Sequence, residues 1–122
     1  MQNSEFKTML INRSYKFSLD IMKLIDSLDR RDFSLVIVAK QVIRSATSVG
    51  ANIIEAQASS SKKDFTNFMG HALKSANETR YWLGLLRDSG KIEKSRVEEL
   101  LKEAQELSKI LGSVILSLRG KK

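Results

Sequence analysis

Two cations stand one helical turn apart in this chain, Lys40 and Arg44, and Arg44 opens a run of small residues, RSATSVGANIIEA at positions 44–56. Cations at this spacing on one helix face suit contacts to phosphate oxygens, which position a protein on nucleic acid without reading its bases. Further along, Lys62 and Lys63 are neighbours, and RGKK at 119–122 supplies Arg119, Lys121 and Lys122 as the densest basic patch. With a formal net charge of +7 over 122 residues, these positions make nucleic acid the leading expected partner, structured RNA ahead of DNA. The same charge serves solubility or an acidic protein surface equally well. A protein-protein adaptor or scaffold with no direct nucleic-acid role therefore stays open as the alternative.

Catalytic chemistry lacks its parts. The single histidine, His71, falls within a helical pattern and has no partner at a sensible spacing for acid–base work. One histidine cannot supply the two Glu-x-x-His pairs of a di-iron bundle. There is no cysteine, so thiolate metal sites and disulfides are out of reach. Gly70, Gly84 and Gly112 are isolated inside helical patterns rather than grouped in a phosphate-cradling loop, and such glycines are expected to mark close helix approach. The expectation is a protein that is not an enzyme and uses neither metal nor cofactor.

The elements that position these residues are all helical. Proline is absent, and apolar residues recur at intervals of three and four between three polar turns. A first helix is expected from Asn12 or Ser14 to about position 29, with Ile11, Tyr15, Ser18, Met22 and Ile25 as one stripe and Phe17, Ile21, Leu24 and Leu28 as a second. Two adjoining stripes imply burial on more than one side. Asp32 or Ser34 then caps a second helix over about 35–59. Ser61 caps a third over about 62–88, whose seam is Phe65, Met69, Ala72, Ala76, Thr79, Leu83 and Leu86, and Gly90 closes it. Ser95-Arg96-Val97-Glu98 reads as a capping box opening the fourth. Four helices of similar length joined by short turns form an antiparallel up-down-up-down bundle, one domain over 1–122. Residues 1–11 are expected to be flexible or to extend the first helix, and 119–122 to be flexible. MQNSEFKTML lacks the features of a signal peptide and no apolar run reaches membrane-spanning length, which predicts a cytoplasmic protein that does not contact membrane.

Within RSATSVGANIIEA, helical spacing gathers Ser45, Ser48, Asn52, Glu55 and Ser59 into a polar stripe beside an apolar one. Small side chains there admit a neighbouring backbone, and Asn52 and Glu55 would then fix how helices or subunits meet. Counting back from the turn at 60 and 61 pairs Arg44 with Glu78 and sets Asn52 near Gly70. YWLGLL at 81–86 is apolar almost all round, and in a four-helix monomer every helix keeps an outer face. Tyr81 and Trp82 are therefore expected in the core or at a subunit interface, with base stacking as the other use of such aromatics.

RSATSVGANIIEA, SKKDF, ALKSANE and YWLGLL together resemble the bacterial four-helix-bundle family named for proteins encoded in intervening sequences of 23S ribosomal RNA genes, also described as ribosomal-protein-like. Members carry an arginine, small residues and then Ala-Asn-Ile-x-Glu followed by Gly or Ala; Arg44, Ala51, Asn52, Ile53, Glu55 and Ala56 match, and Glu78 matches the acidic position of the third helix. Many members have Pro at the place of Gly50 and Gly at that of Ala56. The resemblance extends over nearly the whole chain, from Asn12 to Leu118. It implies a bundle that associates with itself into a homopentameric ring. It is also similar to the accessory protein of diversity-generating retroelements, a pentameric barrel with a basic surface that works with a reverse transcriptase and RNA.

Overall fold

A computed structural model of the chain describes residues 3–120. They form four helices, α1 (Ser4–Asp26), α2 (Phe33–Gln57), α3 (Lys62–Asp88) and α4 (Lys94–Leu118), and among the described residues there is no strand. The turns between them are short, which obliges each helix to run antiparallel to the one before it. The helix backbones approach most closely between α2 and α3 and between α3 and α4, less so between α1 and α2, and least between α1 and α4, which are joined through Arg13 and Glu103. No helix among the described residues is long and apolar enough to cross a membrane.

Three of the four helices, α1 to α3, begin where a side chain satisfies an exposed amide. The Asp32 carboxylate accepts from Leu35 N at 3.1 Å, and the Ser61 hydroxyl accepts from Asp64 N at 3.1 Å, both as the sequence predicts. Gly90, at φ +74°, follows the end of α3, in the left-handed conformation that glycine adopts without strain. Three ends differ from expectation. α1 starts at Ser4 rather than near Asn12 or Ser14, because Asn3 caps it by accepting from Phe6 N at 2.8 Å and Leu10 carries the buried stripe back by a further two turns. It also ends at Asp26, before the expected position 29. The box at Ser95 does not form. α4 begins at Lys94 with Glu93 at its cap, so Ser95 already lies in the first turn and its hydroxyl donates to the Glu93 carboxylate at 2.7 Å.

The core is assembled from one stripe of each helix: Leu10, Phe17, Ile21 and Leu24 on α1; Val42, Ala46, Val49 and Ile53 on α2; Met69, Ala72, Ala76 and Leu83 on α3; Val97, Ala104, Leu107 and Leu111 on α4. Each fully buried Leu, Ile, Phe or Met contributes about 1.5–3 kcal/mol relative to exposure. The alanines on α2 and α3 exchange that gain for proximity. Of the two stripes expected on α1, the one through Phe17, Ile21 and Leu24 is buried and the one through Tyr15 and Met22 is only partly covered. Tyr15 is 67% exposed, and Leu19 and Met22 are exposed with it, so within one chain α1 is buried on one side only.

Glycine divides the helices in an unexpected way. At Gly50 a Cβ would lie 3.3 Å from Ser14 Oγ, so this residue does mark a close approach, of α2 to α1. At Gly70, Gly84 and Gly112 a Cβ would meet nothing within 4 Å. The expectation of close packing there is wrong for the single chain, since all three face outward between or beside helices.

The turn at 89–93 is tied back to the start of α2. Lys91 Nζ donates to Asp32 Oδ1 at 2.9 Å and to Ser34 Oγ at 2.8 Å. The ammonium, and then the Leu35 amide, hold the Asp32 carboxyl below the usual carboxylate range. A depressed carboxylate stabilises the fold above its unfolded pKa, and that contribution is lost as pH falls through the folded one. Asp32→Asn keeps a capping side chain but no charge. In denaturant melts, the wild type should exceed this variant in stability at neutral pH, and the difference should close as pH falls below about 4.

Candidate nucleic-acid interface

α2 and α3 are held in register by two polar contacts on adjacent positions. Thr79 Oγ1 hydrogen-bonds Ser45 Oγ at 2.9 Å, with both residues buried. One residue earlier on each helix, Arg44 pairs with Glu78, as the sequence predicts. Arg44 also donates to Gln41 Oε1, from Nε at 3.2 Å and Nη2 at 3.0 Å, while Trp82 Nε1 donates to the same Glu78 oxygen at 3.0 Å. The carboxylate is thus clamped between a guanidinium and an indole, and Tyr81 stacks edge-on against Trp82 at 5.1 Å between centroids. Gln41 and the indole N–H are the members of this cluster that sequence reasoning missed. Both lie one turn from a member it did name, which is the signal that could have found them.

The sequence-predicted residues separate into groups. Arg44 spends its donors inside the chain, on Gln41 and Glu78. Lys40 is exposed and borders a recess between α1 and α2 that also carries Asp26, Asp29 and Arg30, so the two cations one turn apart look toward different neighbours. Lys62 and Lys63 are exposed at the start of α3, and Lys62 lines a groove with Ser117 and Leu118, which brings the exposed Arg119 to the same end of the bundle. Lys121 and Lys122 lie outside the described residues. Asn52 does not reach Gly70. Its Nδ2 donates to Ser48 O at 2.8 Å on its own helix, which satisfies the amide without any neighbour. Glu55 is exposed and its carboxylate has no hydrogen-bond partner among the described residues.

Positive charge is compensated only in part. At the end formed by the 27–32 and 89–93 turns, Arg31 pairs with Asp29, Arg87 with Asp88 and Lys91 with Asp32, while Arg30, Lys94 and Arg96 have no carboxylate partner among the described residues. Between α1 and α4, Arg13 makes two bonds to Glu103 at 2.7 and 2.8 Å, which raise the guanidinium above its ordinary pKa, and Lys16 pairs with Asp20. At the other end and along α3 and α4, Lys62, Lys63, Arg80, Lys109 and Arg119 have no carboxylate partner among the described residues. Arg80 and Lys109 were not singled out from the sequence; they are brought together only by the register of α3 on α4.

Two apolar patches flank α2. One holds Tyr15, Leu19 and Met22 of α1 with Ile54; the other holds Phe33 and Ile37 with Tyr81 and Leu85 of α3, and Phe33 is 81% exposed. Trp82 is half-buried against the core, whereas Tyr81 stands 62% exposed. His71 is exposed on α3, edge-on to Phe68. Among the described residues no three His, Cys, Asp or Glu gather closely enough to hold a metal ion.

A family model described as 23S rRNA-intervening sequence protein matches residues 7–113. Among solved structures, a protein of unknown function from the S23 ribosomal protein family of Bacteroides thetaiotaomicron is 38% identical with a TM-score of 0.80, over 87% of this chain and 97% of that one. No curated protein matches the chain.

The Arg44–Glu78 contact is partly exposed, so its free energy is that of a surface pair. A double-mutant cycle with Arg44→Met and Glu78→Gln should give a coupling of at most about 1 kcal/mol. Glu78→Gln should also shift Trp82 fluorescence, since the indole N–H loses its anionic acceptor. Coupling well above that figure, measured by urea denaturation, would mean the pair carries the helix register by itself.

Proposed function

The chain belongs to the 23S rRNA-intervening sequence protein family, and on that premise we propose that it is a non-enzymatic protein that assembles with copies of itself and binds structured RNA through phosphate contacts. The observation that carries this reading is the excess of positive charge, +7 over the chain, together with Lys62, Lys63, Arg80, Lys109 and Arg119, which have no carboxylate partner among the described residues. A net positive field with low-dielectric walls raises the local concentration of an anionic polymer and steers its approach. Repetition of the same surface around an assembly multiplies weak contacts by raising effective concentration.

Self-assembly is supported by the two apolar patches. A closed ring needs two different surfaces on each subunit, and the patches beside α2 are distinct in composition and lie on opposite sides of that helix. Five copies is the number that the resemblance implies. In this reading Tyr81 and Leu85 are covered by a neighbouring subunit rather than stacked on bases.

Binding of structured RNA to the nucleic-acid-free protein across a salt series tests the first part. Affinity should fall steeply with salt, because each phosphate contact releases counterions. The double reversal Lys62→Glu and Lys63→Glu should flatten the slope by about two. No binding at low salt would contradict the RNA reading and favour the adaptor. For the second part, Ile37→Glu with Tyr81→Lys should lower the mass seen by light scattering to that of one chain or an open fragment. An unaltered mass would remove this patch from the interface.

A further inference from the structure

The outer groove between α3 and α4 carries a set of hydrogen-bond donors for which the folded chain has little use. Leu73, Asn77 and Arg80 line one wall, and Gln105, Ser108 and Lys109 the other. Arg80 and Lys109 are both exposed. Asn77 is exposed and its Oδ1 accepts from Arg80 Nη1 at 3.4 Å, which leaves its amide N–H groups available as donors. Ser108 is only 7% exposed, and its Oγ is, among the described residues, the buried side-chain polar atom without a hydrogen-bond partner. Buried polar groups are almost always paired, because leaving one unpaired forfeits the hydrogen bond it made with water.

The donors share a sign. Among the described residues no carboxylate lines this groove, whereas Asp20, Glu99, Glu103 and Glu106 line the one between α1 and α4, and Glu98 and Glu99 line the next one along α3 and α4. The complement of guanidinium, ammonium, two amides and a hydroxyl is a compact anion with several acceptor oxygens. At about 280 Å³ the groove is smaller than the roughly 300–1,000 Å³ that encloses a small-molecule ligand. It suits one ionic group of a larger molecule. Gly70 and Gly112 lie one turn beyond Leu73 and Lys109 and leave the backbones uncovered there, so the groove is open toward the end that carries Lys62 and Arg119. Lys109 and Arg119 are separated by about 15 Å along α4.

We infer that this groove is a phosphodiester subsite for the RNA backbone, in which Arg80 and Lys109 supply charge and Asn77, Gln105 and Ser108 supply directed donors. The inference rests on the RNA-binding reading and adds to it the place where one phosphate is gripped.

Three variants measured with the same RNA across a salt series test it: Arg80→Gln with Lys109→Gln, Ser108→Ala, and, as a control of equal charge change, Lys23→Gln with Lys94→Gln at the opposite end. The first should weaken binding at least tenfold at low salt and flatten the salt slope by about one, as for one lost phosphate. Ser108→Ala should weaken binding several-fold with the slope unchanged, and should raise the melting temperature because an unpaired hydroxyl is gone. The control should bind almost as the wild type does. If the wild type binds and the control loses as much as the groove variant, the effect is net charge and the inference is overturned while the RNA reading stands. A groove variant that binds RNA as tightly as the wild type, with the same salt slope, likewise overturns the subsite alone. A wild type that binds no RNA overturns both.

Discussion

α2 and α3 approach each other so closely that the positions between them are filled by small side chains and two hydroxyls. Ala46 and Ala76 are fully enclosed, and Ser45 and Thr79 meet in a buried hydrogen bond of 2.9 Å. Sliding one helix along the other by a turn would bury both hydroxyls without that bond and set larger residues where alanines now sit, which close-packed interiors do not absorb. The register that follows fixes much else. It brings Arg44 to Glu78 one position away, and at the far end of the same pair it lets Lys91 reach Asp32.

The small residues of positions 44–56 thus make architectural sense. Their apolar stripe loses contact area but gains proximity, and Gly50 extends the same economy of volume to α1, at Ser14. The polar residues in the run are mostly satisfied locally. Asn52 bonds the carbonyl of Ser48 and Thr47 that of Ile43, so these side chains hold the helix rather than a neighbour. What faces outward from the pair is the Glu78 clamp and an apolar patch beside it. Among the cations that lack carboxylates, Arg80 and Lys109 share the groove between α3 and α4, and Lys62 lies at the end that carries the 58–61 turn.

Much of this can be read from the sequence because it depends on local chemistry. The seam of α3 follows from spacing alone, Asp32 and Ser61 are caps by side-chain type, and Glu78 is within reach of Arg44 once a short turn joins their helices. Other features depend on facts that spacing does not contain. The start of α1 rests on Asn3 and on a polar first turn that carries little periodicity. Ser95 has the right motif, but the helix starts one residue before it and Glu93 takes its hydroxyl. Asn52 bonds a carbonyl on its own helix, four residues back, and so needs no partner across the interface. Arg80 and Lys109 stand 29 residues apart in the chain, and only the crossing of α3 on α4 places them on one groove.

Since the backbones of α2 and α3 approach more closely than that of α1 approaches either neighbour, the α2–α3 pair is the part of the molecule on which the remainder is hung. Native-state hydrogen exchange tests that hierarchy most directly, because it reads the free energy of opening residue by residue. Amides around Ala46 and Ala76 should exchange only through global unfolding, while those of α1 should exchange through an opening of lower free energy. Equal protection of α1 and the α2–α3 seam, or earlier opening of the seam, would contradict that hierarchy.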